Sequence, residues 1–237
     1  MQTTEAAQHT IHGILSDSSH ILISAPTGGG KSYAVGYLVE RLYAERKPFI
    51  IFDTSRQNHI GLWALKDITL AQIRPGGTEE TYQKLTNIPY LILIPGEEIT
   101  IDQLISEYRK IINAVYYAKK PRILIIEECH YYSKNASAPD QSLDRISREG
   151  RKYGIFGWFI TQRCQDIPKI FWSSCRYYLI LKYWLHTDIS YLSNQINNYP
   201  QINADMKLHD LLLYNSQLDQ VTVIPAECIK RVTKHYG

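Results

Sequence analysis

The chain of 237 residues lacks several features, and each absence removes a class of protein. Its four cysteines, Cys129, Cys164, Cys175 and Cys228, are scattered, with no Cys-x-x-Cys pair. This spacing excludes a disulfide framework and a cysteine zinc site, and points to reduced, buried thiols in a cytosolic setting. No apolar run approaches the ~18 residues of a membrane span. Residues 1–12 lack the basic-then-apolar order of a secretory signal. No internal repeat or low-complexity segment is present. The net charge, +3, pulls only weakly towards anionic partners. Apolar residues, at 44%, suffice for one sizeable core. This length suits a single α/β domain and would be cramped for two.

The chain is organised around Ala25-Pro-Thr-Gly-Gly-Gly-Lys-Ser32. A short apolar stretch, His20-Ile-Leu-Ile-Ser24, precedes it. A helical pattern follows from Tyr33 to Arg46, with Val35, Tyr37, Leu38, Leu42 and Tyr43 at helical spacing. Strand, glycine-rich loop and helix in this order form the context of a phosphate-binding P-loop. Three consecutive glycines let the backbone curl until several N–H groups face one centre. The start of the helix adds its partial positive charge at the same place. Pro26, Thr27, Gly28, Gly29, Gly30, Lys31, Ser32 and Tyr33 are therefore the expected nucleotide-binding set. Lys31 can reach the β- and γ-phosphates, and Ser32 can ligate Mg²⁺, so ATP and Mg²⁺ are the expected ligands. Ala25 stands where the usual pattern has Gly, and a small residue should fit there.

Thr3–Leu15 reads as a helix with Thr3 or Thr4 as its N-cap, leaving no room for a separate domain before the first strand. Phe49-Ile-Ile-Phe-Asp53 reads as a strand. Asp53 either sits on the ligand edge of a parallel sheet or caps the next segment. Residues 54–87 hold an amphipathic piece at Ile60–Leu65, a Pro75-Gly76-Gly77 turn and a helix at Glu79–Leu85. Tyr90–Ile94 is a strand, and Thr100–Ala118 is a helix with one apolar face.

Ile123-Leu-Ile-Ile-Glu-Glu128 is the second informative stretch. A buried parallel strand delivers acids at its carboxyl tip, beside the P-loop. Glu127 is expected to hold the Mg²⁺ shell through water, and Glu128 to orient or deprotonate the attacking water. The alternative is a strand that simply ends in surface acids. Gln141–Lys152 is a helix carrying Arg145, Arg148 and Arg151, which by itself reads as a solvated basic face. The strand Ile155–Thr161 ends in Gln162-Arg163, again at the ligand edge. Arg176–Lys182 is a further strand and His186–Ile196 a helix. Asp210–Tyr214 and Gln220–Ile224 form a terminal β-hairpin, followed by the basic tail Lys230–His235.

Ser147-Arg-Glu-Gly-Arg-Lys-Tyr-Gly-Ile155, followed by Phe159-Ile-Thr-Gln-Arg163 and Asp166-Ile167, resembles the HerA/FtsK superfamily of DNA-pumping ATPases. That family carries a basic Arg-x-Gly-Arg-x-x-Gly stretch leading into a strand that ends Thr-Gln-Arg. The likeness runs from Ile21 to Ile167. It implies that Lys31 and Ser32 bind phosphate and Mg²⁺, and that Glu128 is the catalytic glutamate. Gln162 is implied to be a polar sensor on a strand between the P-loop strand and the acidic strand. Arg151, or else Arg148, is implied to be an arginine finger serving a neighbouring subunit. Two departures stand out: Glu127 replaces the usual Asp, and Cys164 replaces the usual Pro after Thr-Gln-Arg.

The implied fold is a P-loop NTPase of the RecA-like, ASCE type: a three-layer α/β/α arrangement with a central, mainly parallel sheet and a carboxyl-terminal β-hairpin. Within one domain, residues 1–19 are a helical extension, 20–183 the ATPase core, and 184–237 a helix, hairpin and basic tail. Cellular HerA-type proteins add an amino-terminal barrel, whereas small viral genome-packaging ATPases of the superfamily are little more than the core. The resemblance therefore favours a packaging motor hydrolysing ATP as a ring, expected to be a hexamer. Its partners would be duplex DNA, held by phosphate contacts without sequence preference, and capsid or portal-vertex proteins. Candidate DNA contacts are Lys134 and Asn135, with Lys119 and Lys120. The competing readings are a HerA-like ATPase of DNA processing or transfer, an ATP-dependent assembly switch, and a small-molecule kinase. A dedicated acid beside a metal-binding acid argues against the kinase, which has no water to activate.

Overall fold

The computed structural model describes residues 4–133 and 140–236. Helix α1 (Thr4–Ser16) leads to strand β1 (His20–Ser24), helix α2 (Lys31–Ala44) and strand β2 (Phe49–Phe52). A 3₁₀ turn at Ile60–Ala64 is followed by β3 (Thr69–Ile73), α3 (Glu79–Leu85), β4 (Tyr90–Pro95), α4 (Ile101–Ala118) and β5 (Arg122–Ile126). Next come α5 (Gln141–Glu149), β6 (Ile155–Thr161), α6 (Lys169–Ser174) and β7 (Cys175–Leu181). Helices α7 (His186–Ser193) and α8 (Tyr199–Asp205) precede the hairpin of β8 (Leu211–Asn215) and β9 (Gln220–Ile224).

Among the described residues, nine strands form one sheet in the order β3-β4-β2-β5-β6-β1-β7-β8-β9. Strands β1 to β7 run parallel, and the hairpin joins antiparallel to β7. The carboxyl ends of β1, β2, β5 and β6 therefore open on one edge, where ligands bind in such sheets. Strand β6 lies between β5 and β1, the place expected for a strand carrying a sensor at its tip.

The strand residues alternate between two apolar layers. Leu22, Ile50, Phe52, Leu124, Ile126 and Phe159 face the layer packed by α4, α5 and α6. Ile21, Ile23, Phe49, Ile51, Ile125 and Trp158 face the layer packed by α1 and α2. Strands buried on both faces read as continuous apolar runs, which is why β1, β2, β4, β5 and β6 were plain in the sequence. The fold class expected from sequence is thus the one observed. Helix α4 is closed by a reciprocal cap, in which Thr100 accepts from the Gln103 N–H and the Gln103 side chain accepts from the Thr100 N–H.

Several boundaries differ from expectation. The arginine-rich helix does not run to Lys152. It stops at Glu149, and Gly150–Tyr153 form a 3₁₀ turn. A Cβ on Gly150 would lie 2.5 Å from the Ile155 carbonyl oxygen, so only glycine lets the chain turn this closely into β6. Arg148 and Arg151 consequently belong to different elements. Strand β3, at the sheet edge, and the short helices α6 and α8 were not expected. The helix begun at His186 ends at Ser193 rather than Ile196. All four cysteines are buried, and none is joined in a disulfide among the described residues. Among the described residues no helix is long and apolar enough to cross a membrane. Thr3, Lys134 and Asn135 lie outside the described residues.

Candidate active site

The P-loop bridges the tip of β1 and the start of α2. Gly28 (φ 76°) and Gly30 (φ 90°) adopt left-handed backbone, which a side chain would strain. Ala25 is fully buried in the layer beneath, so the small residue at the first position fits as expected. Pro26, Thr27, Gly28, Lys31, Ser32 and Tyr33 line a cavity of about 740 Å³, which Glu128 and Gln162 also line. Gly29 turns its carbonyl oxygen to His209 Nδ1, 3.3 Å away.

Lys31 is buried and paired with both acids at the tip of β5. Its ammonium lies 3.3 Å from Glu127 Oε2 and also contacts Glu128 Oε1. Burial opposes the charge on Lys31, but the two carboxylates prevail and hold it above the ordinary lysine value. Burial likewise opposes ionisation of Glu127, yet Lys31 and His59 bring its carboxyl down to about 2. A triphosphate seated on the P-loop would compete with these carboxylates for Lys31.

Glu127 is fully buried, so its extra methylene relative to Asp has a use. It reaches His59 Nε2 at 2.7 Å while still meeting Lys31. His59 comes from the segment after β2 and was missed in the sequence, where no periodicity or motif surrounds it. Asp53, at the tip of β2, is buried beside this pair and accepts the Ser55 N–H at 2.9 Å. It thus both caps the next turn and belongs to the acidic cluster. Burial raises its carboxyl to about 6, against the charge of His59 and with that of Glu127.

Glu128 adopts left-handed backbone (φ 46°, ψ 51°), a conformation that costs an L-residue roughly 1–3 kcal/mol. Such strain persists where the surroundings fix a side chain. Glu128 Oε2 accepts the Gln162 N–H at 3.3 Å and lies 3.4 Å from His130 Nδ1. Gln162 Oε1 in turn accepts the Thr27 hydroxyl at 2.7 Å. The tips of β6, β5 and the P-loop are thereby joined by one chain of hydrogen bonds. His130 also reaches Thr161 Oγ1 at 3.1 Å. It stands two residues after Glu128, a spacing that could have marked it. Cys164, where Pro was expected, is buried with its thiol on Asp188 Oδ1 at 3.6 Å.

The arginines lie apart from this cluster. Arg148 is exposed and bonded to Asp144 at 2.8 and 2.9 Å. Arg151 is exposed at the opposite edge of the sheet, near His20 at the start of β1. Lys119 and Lys120 share that edge, with Lys119 Nζ 4.7 Å from the Tyr153 ring centre and Lys120 on Asn87.

Residues 15–57 match the family model described as the central domain of the helicase HerA. Among curated proteins none matches the chain in sequence. Solved structures do match in fold. The genome packaging NTPase B204 of Sulfolobus turreted icosahedral virus 2, solved with AMPPCP, superposes with a TM-score of 0.68 at 16% identity, covering 88% of this chain and 98% of that one. The fold is that of the HerA/FtsK/VirB4-type P-loop NTPases. B204 of Sulfolobus turreted icosahedral virus, a DNA-packaging ATPase, gives 0.68 at 18% identity with the same coverage. VirB4 of Thermoanaerobacter pseudethanolicus gives 0.65 at 12% identity, covering 87% and 88%. The family match runs from the end of α1 through β1, the glycine-rich loop and α2 to just past β2.

Proposed function

We propose that this protein is an ATP-hydrolysing translocase of duplex DNA, working as a homo-oligomeric ring and serving as a viral genome-packaging motor. The observation that carries hydrolysis is the chain of hydrogen bonds Thr27–Gln162–Glu128, which ties a carboxylate to the phosphate loop. Glu128 is the group that accepts a proton from the attacking water. Gln162 reports the state of the P-loop to it through Thr27. Lys31 exchanges its carboxylate partners for the β- and γ-phosphates and offsets their charge.

The Ser32 hydroxyl lines the cavity and would ligate Mg²⁺ directly, while the buried Glu127 carboxylate would hold it through water. Bound Mg²⁺ would neutralise phosphate charge during transfer. Until Lys31 turns to the phosphates, it and His59 hold Glu127 ionised.

Coupling to DNA is supported by likeness. Nearly the whole of a genome packaging NTPase superposes on this chain. Arg151, or else Arg148, serves as the finger to the neighbouring subunit, because the edge carrying Arg151 lies away from its own nucleotide. A triplex-displacement assay tests the motor directly. ATP-dependent stripping of a third strand from duplex DNA is expected, and ATP hydrolysis without stripping would point to a switch.

A further inference from the structure

The basic tail is folded back rather than free. The Arg231 side chain is buried, and its Nε donates to Glu40 Oε1 at 3.2 Å. Glu40, in the middle of α2, also accepts the N–H groups of Val232 at 2.8 Å and Thr233 at 3.0 Å. The Thr233 hydroxyl adds a bond at 2.6 Å. A buried charge satisfied from several sides fixes the segment that satisfies it. Two glycines make room for it. A Cβ on Gly36 would lie 2.4 Å from Arg231 Cζ, and one on Gly61 would lie 1.8 Å from the Lys234 carbonyl oxygen. A glycine inside a helix weakens it, and at Gly36 the tail occupies the space so created.

This strap lines the same cavity as the P-loop, through Glu227, Ile229, Lys230 and His235. Tyr33, directly after the P-loop, joins the two. Its hydroxyl accepts the Arg231 N–H at 3.3 Å, and its ring meets that of His235 edge-on, centres 5.6 Å apart at 86°. Burial, then the charges of Arg231 and His59, push His235 below the ordinary imidazole value, so it packs as a neutral ring at pH 7. A triphosphate on Lys31 must carry its base into the part of the cavity that the phosphates do not fill.

We propose that the carboxyl-terminal strap is the base-and-ribose wall of the nucleotide site, taking a purine ring against Ile229 and the Tyr33–His235 pair, with Lys230 and Glu227 at its polar edge. This rests on the P-loop reading above. It makes the tail a determinant of nucleotide choice rather than an arm for DNA.

Calorimetric titration of the full chain with Mg²⁺ plus ATP, and separately with Mg²⁺ plus inorganic tripolyphosphate, tests it. Tripolyphosphate offers the phosphates without a base. His235→Ala and Lys230→Ala should each weaken ATP about tenfold, the scale of one lost ring or edge contact, and leave tripolyphosphate and the melting temperature unchanged. Arg231→Ala, which frees the anchor, should weaken ATP similarly and lower the melting temperature; if it fails to fold, the other two variants decide. Strap variants that bind ATP like wild type, or lose both ligands equally, overturn the proposal. Lys31→Ala should weaken both ligands. Should it weaken neither, the P-loop reading fails, and the strap proposal with it.

Discussion

His59 Nε2 donates to Glu127 Oε1 across 2.7 Å, with both side chains shut off from solvent. The contact ties the segment after β2 to the tip of β5. It gives the longer glutamate a use at the position where the HerA/FtsK-like pattern would have the shorter aspartate. His59 orients the acid, and Lys31 takes its other oxygen at 3.3 Å.

His59→Ala should lower ATP turnover by roughly 10–100-fold, the usual effect of losing a partner that orients a metal-binding group. ATP binding should stay within about threefold of wild type, a difference well under 1.4 kcal/mol. His59→Gln keeps a donor near the Nε2 position and should restore most of the turnover. Steady-state kinetics over a range of Mg²⁺ concentrations check this. Unchanged turnover in the alanine variant would make the pair purely structural.

Glu128→Gln should bind ATP yet hydrolyse it at least ~10²-fold more slowly, since the amide cannot accept the water proton. Glu127→Gln should instead raise the Mg²⁺ concentration needed for half-maximal turnover. Nucleotide-trapping assays on both variants compare them. If Glu127→Gln were the variant that traps ATP, the two roles would be exchanged.

Arg151→Ala should assemble and bind ATP but scarcely turn it over, because an arginine supplied in trans is worth roughly 10³–10⁵ in rate. Mixing it with Lys31→Ala should recover activity, as one interface then joins an intact P-loop to an intact finger. Arg148→Ala should keep most of its turnover, since Arg148 is occupied by Asp144. Turnover of the mixture no higher than either variant alone, with assembly confirmed by light scattering, would exclude Arg151 as the finger.

His20 gives stability a pH dependence. It starts β1 fully buried, and its Nδ1 accepts the Gly157 N–H at 2.9 Å, which leaves the proton on Nε2. Burial, then the charge of Arg151, lowers its value to about 4. A folded-state value below the unfolded one favours the neutral ring, so the stabilisation is complete above the unfolded value of about 6.5 and is lost as pH falls through 4. The full swing is of the order of 3 kcal/mol. His20→Asn, which keeps an acceptor near the Nδ1 position, should flatten the change in melting temperature between pH 7 and pH 4. An unchanged slope would place the acid sensitivity elsewhere.

Much of this was legible in advance where burial and backbone geometry leave a pattern. The doubly buried strands stood out as apolar runs, and the P-loop as a glycine cluster between strand and helix. Edge strand β3 did not, because Thr69-Leu-Ala-Gln-Ile73 is half exposed and its alternation is short. The break at Gly150 depends on the close approach of Ile155, a contact that local propensity does not encode. Glu127 and Glu128 could be read as a pair, but His59 could not: 68 positions separate it from Glu127, and only the parallel order of β2 and β5 brings them together. The tail read as a simple basic run because its partner, Glu40, lies on a helix 191 positions earlier.

The most direct test of an ATP-driven DNA motor is ATP turnover measured with and without duplex DNA, over a series of salt concentrations. Turnover should rise severalfold with duplexes of unrelated sequence, and the DNA concentration needed should climb steeply with salt, since phosphate contacts release counterions. Lys31→Ala should be inactive in both conditions. Wild-type hydrolysis that is indifferent to duplex DNA at every salt concentration would contradict the motor.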